Sequence, residues 1–440
     1  MREIMRIAFI VADFPILSET FILNQATGLL DRGHEVDIYT DNVGNWSAVH
    51  PDVNRYGLRQ RTYPMQKIPK NYLWRILKGV WLGLSCFLRA PRLVLRSLNI
   101  PKYGVQAAGL WLLYTAASLA PRQPQYDIIH CQFGTQGYRG LALKRLLSPT
   151  PKLILMFRGH DISCYLQQGG AQVYRYLFGQ VDFCLANCEF FRQRVIELGC
   201  GPQQVAVHRS GLNLDKFTFR PRHSSSGEPV RILTVGRLVE KKGIEYAIRA
   251  VAQVQPRGNL EYHIIGDGPL RPSLKGLIHN LGAEAYIHLV GWKNEADIIA
   301  ALNTAHLFIA PSITAADGNQ DAPINVLKEA MATGMPVLST LHGGIPELVQ
   351  DGVSGYLVPE KDADSLAQRL EDLLAASENW AAMGAAGRRY VEQHYDIQAL
   401  NNRLVAVYEQ LLAGNSSVRS HRPSPVHALN PRQSGYLPHD

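Results

Sequence analysis

Residues 307–340 read LFIAPSITAADGNQDAPINVLKEAMATGMPVLST. The apolar run at 307–310 has the length and composition of a strand buried on both faces. A loop of small and polar residues follows and holds Asp321. A helix then starts near Asn325 and carries Glu329, and a second apolar run at 336–339 reads as the next strand. A strand that passes through a helix into another strand is a unit of a parallel sheet.

The same alternation runs outward in both directions. In the second half, strands are expected at 231–235, 262–265, 286–290 and 356–358. In the first half they fall at 5–12, 34–40, 127–133, 153–157, 183–186 and 205–208. A helix is expected over 18–32, with Ser18 as its N-cap and Gly33 just past its end. The pattern gives an α/β protein of two Rossmann-like, doubly wound domains, and 440 residues are too many for one ordinary core. The first domain is placed at 1–219 and the second at 230–394, with the boundary in the Ser- and Pro-rich stretch RPRHSSSGEP at 220–229. A last helix at 395–412 is expected to return to the first domain, and the polar tail 414–440 to be disordered.

Hydrophobic residues make up 46% and charged residues 19%, a globular profile that excludes fibrous and disordered classes. The six cysteines contain no C-x-x-C pair and no zinc-like spacing, so they read as reduced thiols in a cytoplasmic protein. The apolar start IAFIVA is cut by Asp13, too soon for a signal-peptide core, and the apolar stretch 105–120 is too short for a membrane span. Between Val53 and Tyr126 lie twelve Lys and Arg and no Asp or Glu. The rest of the chain has 33 basic against 37 acidic residues, so the net +8 is wholly local. Aromatic residues interleave with this charge, a composition suited to the interface of an anionic membrane, although a solvated pair of basic helices is the plainer reading. No nucleic-acid reader motif accompanies it.

Doubly wound domains bind ligands beyond the carboxyl ends of their strands, so the loops after strands are where function is sought. After 231–235 comes GRLVEKKG, with Gly236, Arg237, Lys241, Lys242 and Gly243 in a loop suited to a diphosphate. After 262–265 comes GDGPL, starting at Gly266, which lacks the spacing of a dinucleotide site. Asp321 and Glu329 stand eight residues apart, one before the helix and one on its second turn. Both can face a ligand across the helix end, although Asp321 alone could cap a helix. Gly343, Gly344 and Ile345 are expected to open another helix and a second anion cradle.

In this order the motifs GRLVEKKG, GDGPL, VGW, Asp321-x7-Glu329, GMPVLST, GGIPELV and DGVSGYLV resemble the retaining glycosyltransferases of family 4, also called group 1, which have the GT-B fold. The resemblance spans nearly all of 5–412, and the details around ADGNQDAP and HGGIPELV are closest to enzymes that assemble exopolysaccharides such as colanic acid. It implies a nucleotide-sugar donor and a saccharide or lipid-linked acceptor, with no cofactor and no metal. Arg237 and Lys242 would hold the diphosphate beside Gly236 and Gly266, and Glu329 the ribose. Asp321 with the backbone of Ala322, Ile324, Asn325 and Val326 would meet sugar and phosphates. The loop before Trp292 would border the base, and His160 in FRGHD would reach the donor sugar. The catalytic set is thus His160, Asp321, Arg237 and Lys242, with acceptor contacts at Ser18, Glu19 and Thr20. Two features depart from the family pattern: its first acid is usually Glu where this chain has Asp321, and the first loop reads DFPILSETF without paired glycines. The enzyme is expected at the inner face of the membrane. A GT-B epimerase, a phosphorylase and a non-catalytic sugar-nucleotide binder share the architecture.

Overall fold

A computed structural model of the chain describes residues 4–414, apart from 17, 18, 48, 226 and 258. The tail expectation therefore lies outside the described residues, save Gly414, and so does Ser18. The first sheet contains β1 (Arg6–Phe14), β2 (Glu35–Val43), β3 (Thr62–Pro64), β4 (Ile128–Cys131), β5 (Lys152–Phe157), β6 (Phe183–Ala186) and β7 (Val205–Val207). The second contains β8 (Val230–Val235), β9 (Leu260–Ile265), β10 (Ile287–Gly291), β11 (Leu307–Ala310), β12 (Val337–Thr340) and β13 (Gly355–Val358). All pairings are parallel, in the orders β3-β2-β1-β4-β5-β6-β7 and β10-β9-β8-β11-β12-β13. Strand order reverses between β1 and β4, and again between β8 and β11. At those two points neighbouring crossovers leave the sheet in opposite directions and open a crevice.

The central strands are apolar on both faces because helices cover both. β4, β6, β11 and β12 are buried along their whole lengths. The helix expected over 18–32 spans Thr20–Leu30, and Glu19, not Ser18, is its N-cap residue, with no side-chain bond to the first turn. β3 was not expected. It is a three-residue edge strand on β2, so the start of the acid-free stretch is part of the first sheet. The far end is built in as well, since Tyr126 donates to Asp37 (2.6 Å) and Arg122 pairs with the same carboxylate (3.2 Å). Between them, the helices Tyr72–Phe87, Pro91–Ser97 and Trp111–Leu119 form an appendage with a small core of its own around Leu82, Tyr114 and Ala117.

The chain crosses between domains twice, and the crossings touch. Leu212 and Phe217 already belong to the core of the second domain, and Arg222 donates to the carbonyls of Leu302, Asn303 and Thr333. The chain therefore joins the second domain's packing ahead of the Ser-rich stretch. On the way back, the helix Trp380–Tyr395 stops at Asp396, whose extended backbone opens the helix Ile397–Leu412 and whose carboxylate caps the Ala399 amide at 2.7 Å. That last helix buries Leu404, Val405, Tyr408 and Leu411 against the first sheet, and His130 in β4 bonds the Tyr408 hydroxyl at 2.6 Å. Leu212 donates to the Tyr395 carbonyl and accepts from Ile397, which straps the two crossings together.

Candidate active site

The loop after β8, residues 236–243, lies against the loops after β9 and β11. A Cβ on Gly266, whose φ is +142°, would stand 1.9 Å from the Gly236 carbonyl oxygen, and one on Gly243 1.9 Å from that of Pro311. Only glycine lets these loops meet. The contact brings Lys242 Nζ to 2.7 Å and Lys241 Nζ to 3.0 Å from the Asp321 carboxylate, which also accepts from Ser312 Oγ at 3.1 Å. Burial alone would raise this carboxyl, but the two ammonium groups outweigh it and hold Asp321 far below the usual range. Burial lowers Lys242 in turn, and Asp321 opposes that shift.

Asp321 is fixed from behind as well. Its amide donates to His342 Nε2 (2.8 Å), so His342 carries its proton on Nδ1, which it gives to Glu360 (2.6 Å). Glu360 also accepts from Thr314 N and Oγ1. Asp321 caps no helix: the helix Asn325–Ala332 has Ile324 as its N-cap residue and no side-chain cap, leaving its first-turn amides to a ligand. The helix expected to open at Gly343 to Ile345 starts at Ile345 and is short. It is a single turn, Ile345–Glu347, the Gly344 amide donates to the Asp321 carbonyl (3.4 Å), and the Gly343 Cβ position lies 2.2 Å from that oxygen.

The other candidates line the same crevice in different ways. Arg237 is exposed; its carbonyl accepts from the Val239 amide, and its guanidinium forms no ion pair or hydrogen bond among the described residues. Glu329 is half-buried on the second turn of its helix, and its carboxylate has no hydrogen-bond partner among the described residues. Burial pushes its carboxyl up to about 7, against the pull of Lys328. Ala322 packs onto the first domain's core, and Ile324 and Val326 onto the second's. Trp292 stands 68% exposed beyond the edge strand β10, two strands out from the switch point; the Gly266 amide ties that edge to the site by donating to Gly291.

From the first domain, FRGHD meets the loop carrying Asp321: a Cβ on Gly159 would lie 3.3 Å from the Gln320 carbonyl oxygen. His160 is exposed there. Its neighbour Asp161 accepts from the amides of Arg158, Gly159 and Gly134, which pins the loop to the turn after β4. Arg158, which sequence reasoning passed over, is buried and bonds Gln25, Gln132 and Ser210. Burial lowers its pKa to about 10. Glu19 stands near it, half-buried, raised to about 7 by burial against the pull of Arg158, while Thr20 begins the helix. The signal for Arg158 was an arginine directly after an apolar strand. Further bonds cross the crevice. Glu347 accepts from the amides of Glu189 and Phe190, Arg194 donates to Gln320, and Lys328 donates to the Ser210 carbonyl.

Among the described residues, the group that could place three ligand atoms around a metal ion is Glu261, His263 and His288, on the outer strands β9 and β10 rather than at the switch point. The six cysteines are unpaired thiols.

Two parallel sheets of this strand order, facing each other across one crevice, define a GT-B protein. HepE of Anabaena in complex with UDP superposes with a TM-score of 0.69 at 17% identity, over 92% of this chain and 100% of that one. Sucrose-phosphate synthase of Thermosynechococcus elongatus does so at 0.68 and 19%, over 93% and 100%. The sequence itself carries the family. The model described as Glycosyltransferase Family 4 matches residues 18–216, and Glycosyl transferases group 1 matches 215–390. The putative colanic acid biosynthesis glycosyltransferase WcaL of Salmonella typhimurium is 34% identical over 411 residues, 92% of this chain and 100% of that protein. The amylovoran biosynthesis glycosyltransferase AmsK of Erwinia amylovora is 33% identical over 414 residues, with 92% and 100% covered. The chain belongs to the family 4, or group 1, glycosyltransferases.

Proposed function

We propose that this glycosyltransferase moves a sugar from a nucleotide-sugar donor to a saccharide or lipid-linked saccharide during exopolysaccharide assembly, with retention at the anomeric carbon and with neither metal nor cofactor. The observation that carries the reading is the Lys241, Lys242 and Asp321 cluster beside an uncapped helix N-terminus at the β8/β11 switch point. A diphosphate entering there meets two part-buried ammonium groups, free first-turn amides and the unpaired Arg237 guanidinium. Together these supply the charge neutralisation that a leaving nucleoside diphosphate needs. Glu329, whose carboxylate has no partner of its own, is suited to accept from ribose hydroxyls. His160 faces the sugar from the other domain, held by Asp161. In this reading the donor phosphate takes the acceptor proton on the face that the leaving group vacates, so no enzymic nucleophile is required. The relatives named for colanic acid and amylovoran synthesis support the pathway class, and HepE, solved with UDP-glucose, supports the donor class.

The same proposal places the enzyme at the cytoplasmic face of an anionic membrane. Fifteen of the 25 exposed large apolar side chains among the described residues fall within 72–111, Trp74 and Trp81 among them, so the appendage is the molecule's apolar surface. Lys67, Lys70, Arg89, Arg92 and Lys102 are exposed around it. No helix of the described residues is long and apolar enough to cross a membrane, so contact would be peripheral.

The test is incubation with a panel of sugar nucleotides and a membrane lipid extract in EDTA. Sugar should enter the lipid fraction, with an anomeric proton coupling that shows the donor's configuration. Inversion, a requirement for added metal, or acceptor-independent hydrolysis alone would each refute the corresponding part.

A further inference from the structure

The appendage carries a groove of about 430 Å³, floored by Gly79, Gly83, Leu110 and Leu113 and walled by Ile76 and Phe87. It runs along the helix Tyr72–Phe87, whose 16 residues span ~24 Å. We propose that this groove seats a single hydrocarbon chain of an amphiphile with a phosphate head, and so holds the tail of the lipid-linked acceptor while its saccharide reaches the crevice. The inference rests on the reading of this chain as a transferase to such an acceptor.

Three features select that occupant. The lining is aliphatic and aromatic, with glycines that leave the width for a chain, and among its side chains the one polar group is the Tyr72 hydroxyl, too little to orient a sugar or peptide. The groove's Tyr72 end is basic: Lys67 and Lys70 are exposed there, and their segment is bound to the helix by Arg75 donating to the Pro69 carbonyl (3.0 Å) and Lys78 to that of Lys67 (3.5 Å). A phosphate at that end would be matched in charge. A second copy of the chain would instead bring two acid-free, basic surfaces face to face, which like-charge repulsion opposes.

The variant Gly83→Phe fills the groove. A Cβ there would meet Leu113 no closer than 3.9 Å, and replacing a mid-helix glycine favours the helix, so folding should survive. Binding of fluorescently labelled dodecyl phosphate to the full chain, below its micelle concentration, should saturate for the wild type. Gly83→Phe should bind it at least tenfold more weakly, while Ser85→Phe, which adds the same bulk on an exposed position, should match the wild type. Sedimentation of Gly83→Phe with anionic vesicles should stay at the wild-type level. The proposal falls if the wild type shows no saturable binding, if Gly83→Phe binds normally, or if the protein dimerises in solution and Gly83→Phe dissociates it. Binding of the probe without binding of vesicles would keep the groove and remove the membrane reading.

Discussion

Asp321 answers to two lysines at once, and that sharing governs its role. Reading the sequence put Lys242 on the diphosphate and Asp321 on the sugar; the structure pairs them, 79 positions apart, in a contact that no local spacing encodes. Removing the carboxylate leaves two part-buried ammonium groups without their counter-ion, so Asp321→Asn should lose about 2 kcal/mol of stability. Nucleoside diphosphate should then rescue the melting temperature more than it raises that of the wild type, because phosphate replaces the missing charge. Equal shifts in thermal denaturation would remove Asp321 as the counter-ion. Glu329 was legible as a carboxylate on the second helical turn, but its isolation was not. With a folded pKa raised from 4.5 to about 7, it costs the fold nothing below its unfolded pKa; the cost grows as pH rises from 4.5 to 7 and levels off above 7. A ribose that needs the anion should bind more tightly from pH 6 to pH 8. Glu329→Gln should bind donor at least tenfold more weakly and lose that slope in calorimetry.

At the scale of elements, the buried strands were legible because a parallel sheet covered on both faces demands continuous apolar runs, as in IAFIVA and LFIA. β3 was not legible, since three residues ending in Pro64 carry no period. The helix start at Ile345 was legible from the two glycines before Ile-Pro, but its length of a single turn was not. Loop contacts make a sharp prediction at Gly266. Gly266→Ala would drive a Cβ into the Gly236 carbonyl, costing on the order of 1–3 kcal/mol and weakening donor affinity, while secondary structure by circular dichroism stays native. In the appendage, Trp74→Ser with Trp81→Ser should lower binding to anionic vesicles without changing donor affinity. High salt should weaken binding of the wild type, since each basic residue near the surface contributes about 1 kcal/mol. Binding indifferent to salt and lipid charge would leave a solvated appendage only.

For the whole molecule, two domains could be read from the order of strands. What joins them could not, because the ties link residues far apart in sequence: Glu347 reaches the amides of Glu189 and Phe190, and Gln320 meets Ser163 and Arg194. These bonds tie the loop of His160 to the β8/β11 loops, so the proposed donor site would be shared between the domains, with the loops proposed for its phosphate end in the second. The most direct test is a thermal-shift titration with UDP, GDP and ADP in EDTA, comparing the wild type with Lys242→Met. At a hundredfold excess over Kd, binding adds about 2.7 kcal/mol. At least one nucleotide should therefore raise the wild-type transition by on the order of a few degrees, and Lys242→Met should lose most of that rise. A wild type that responds to none of the three, or a Lys242→Met variant that responds as strongly as the wild type, would contradict a diphosphate site built on this lysine pair.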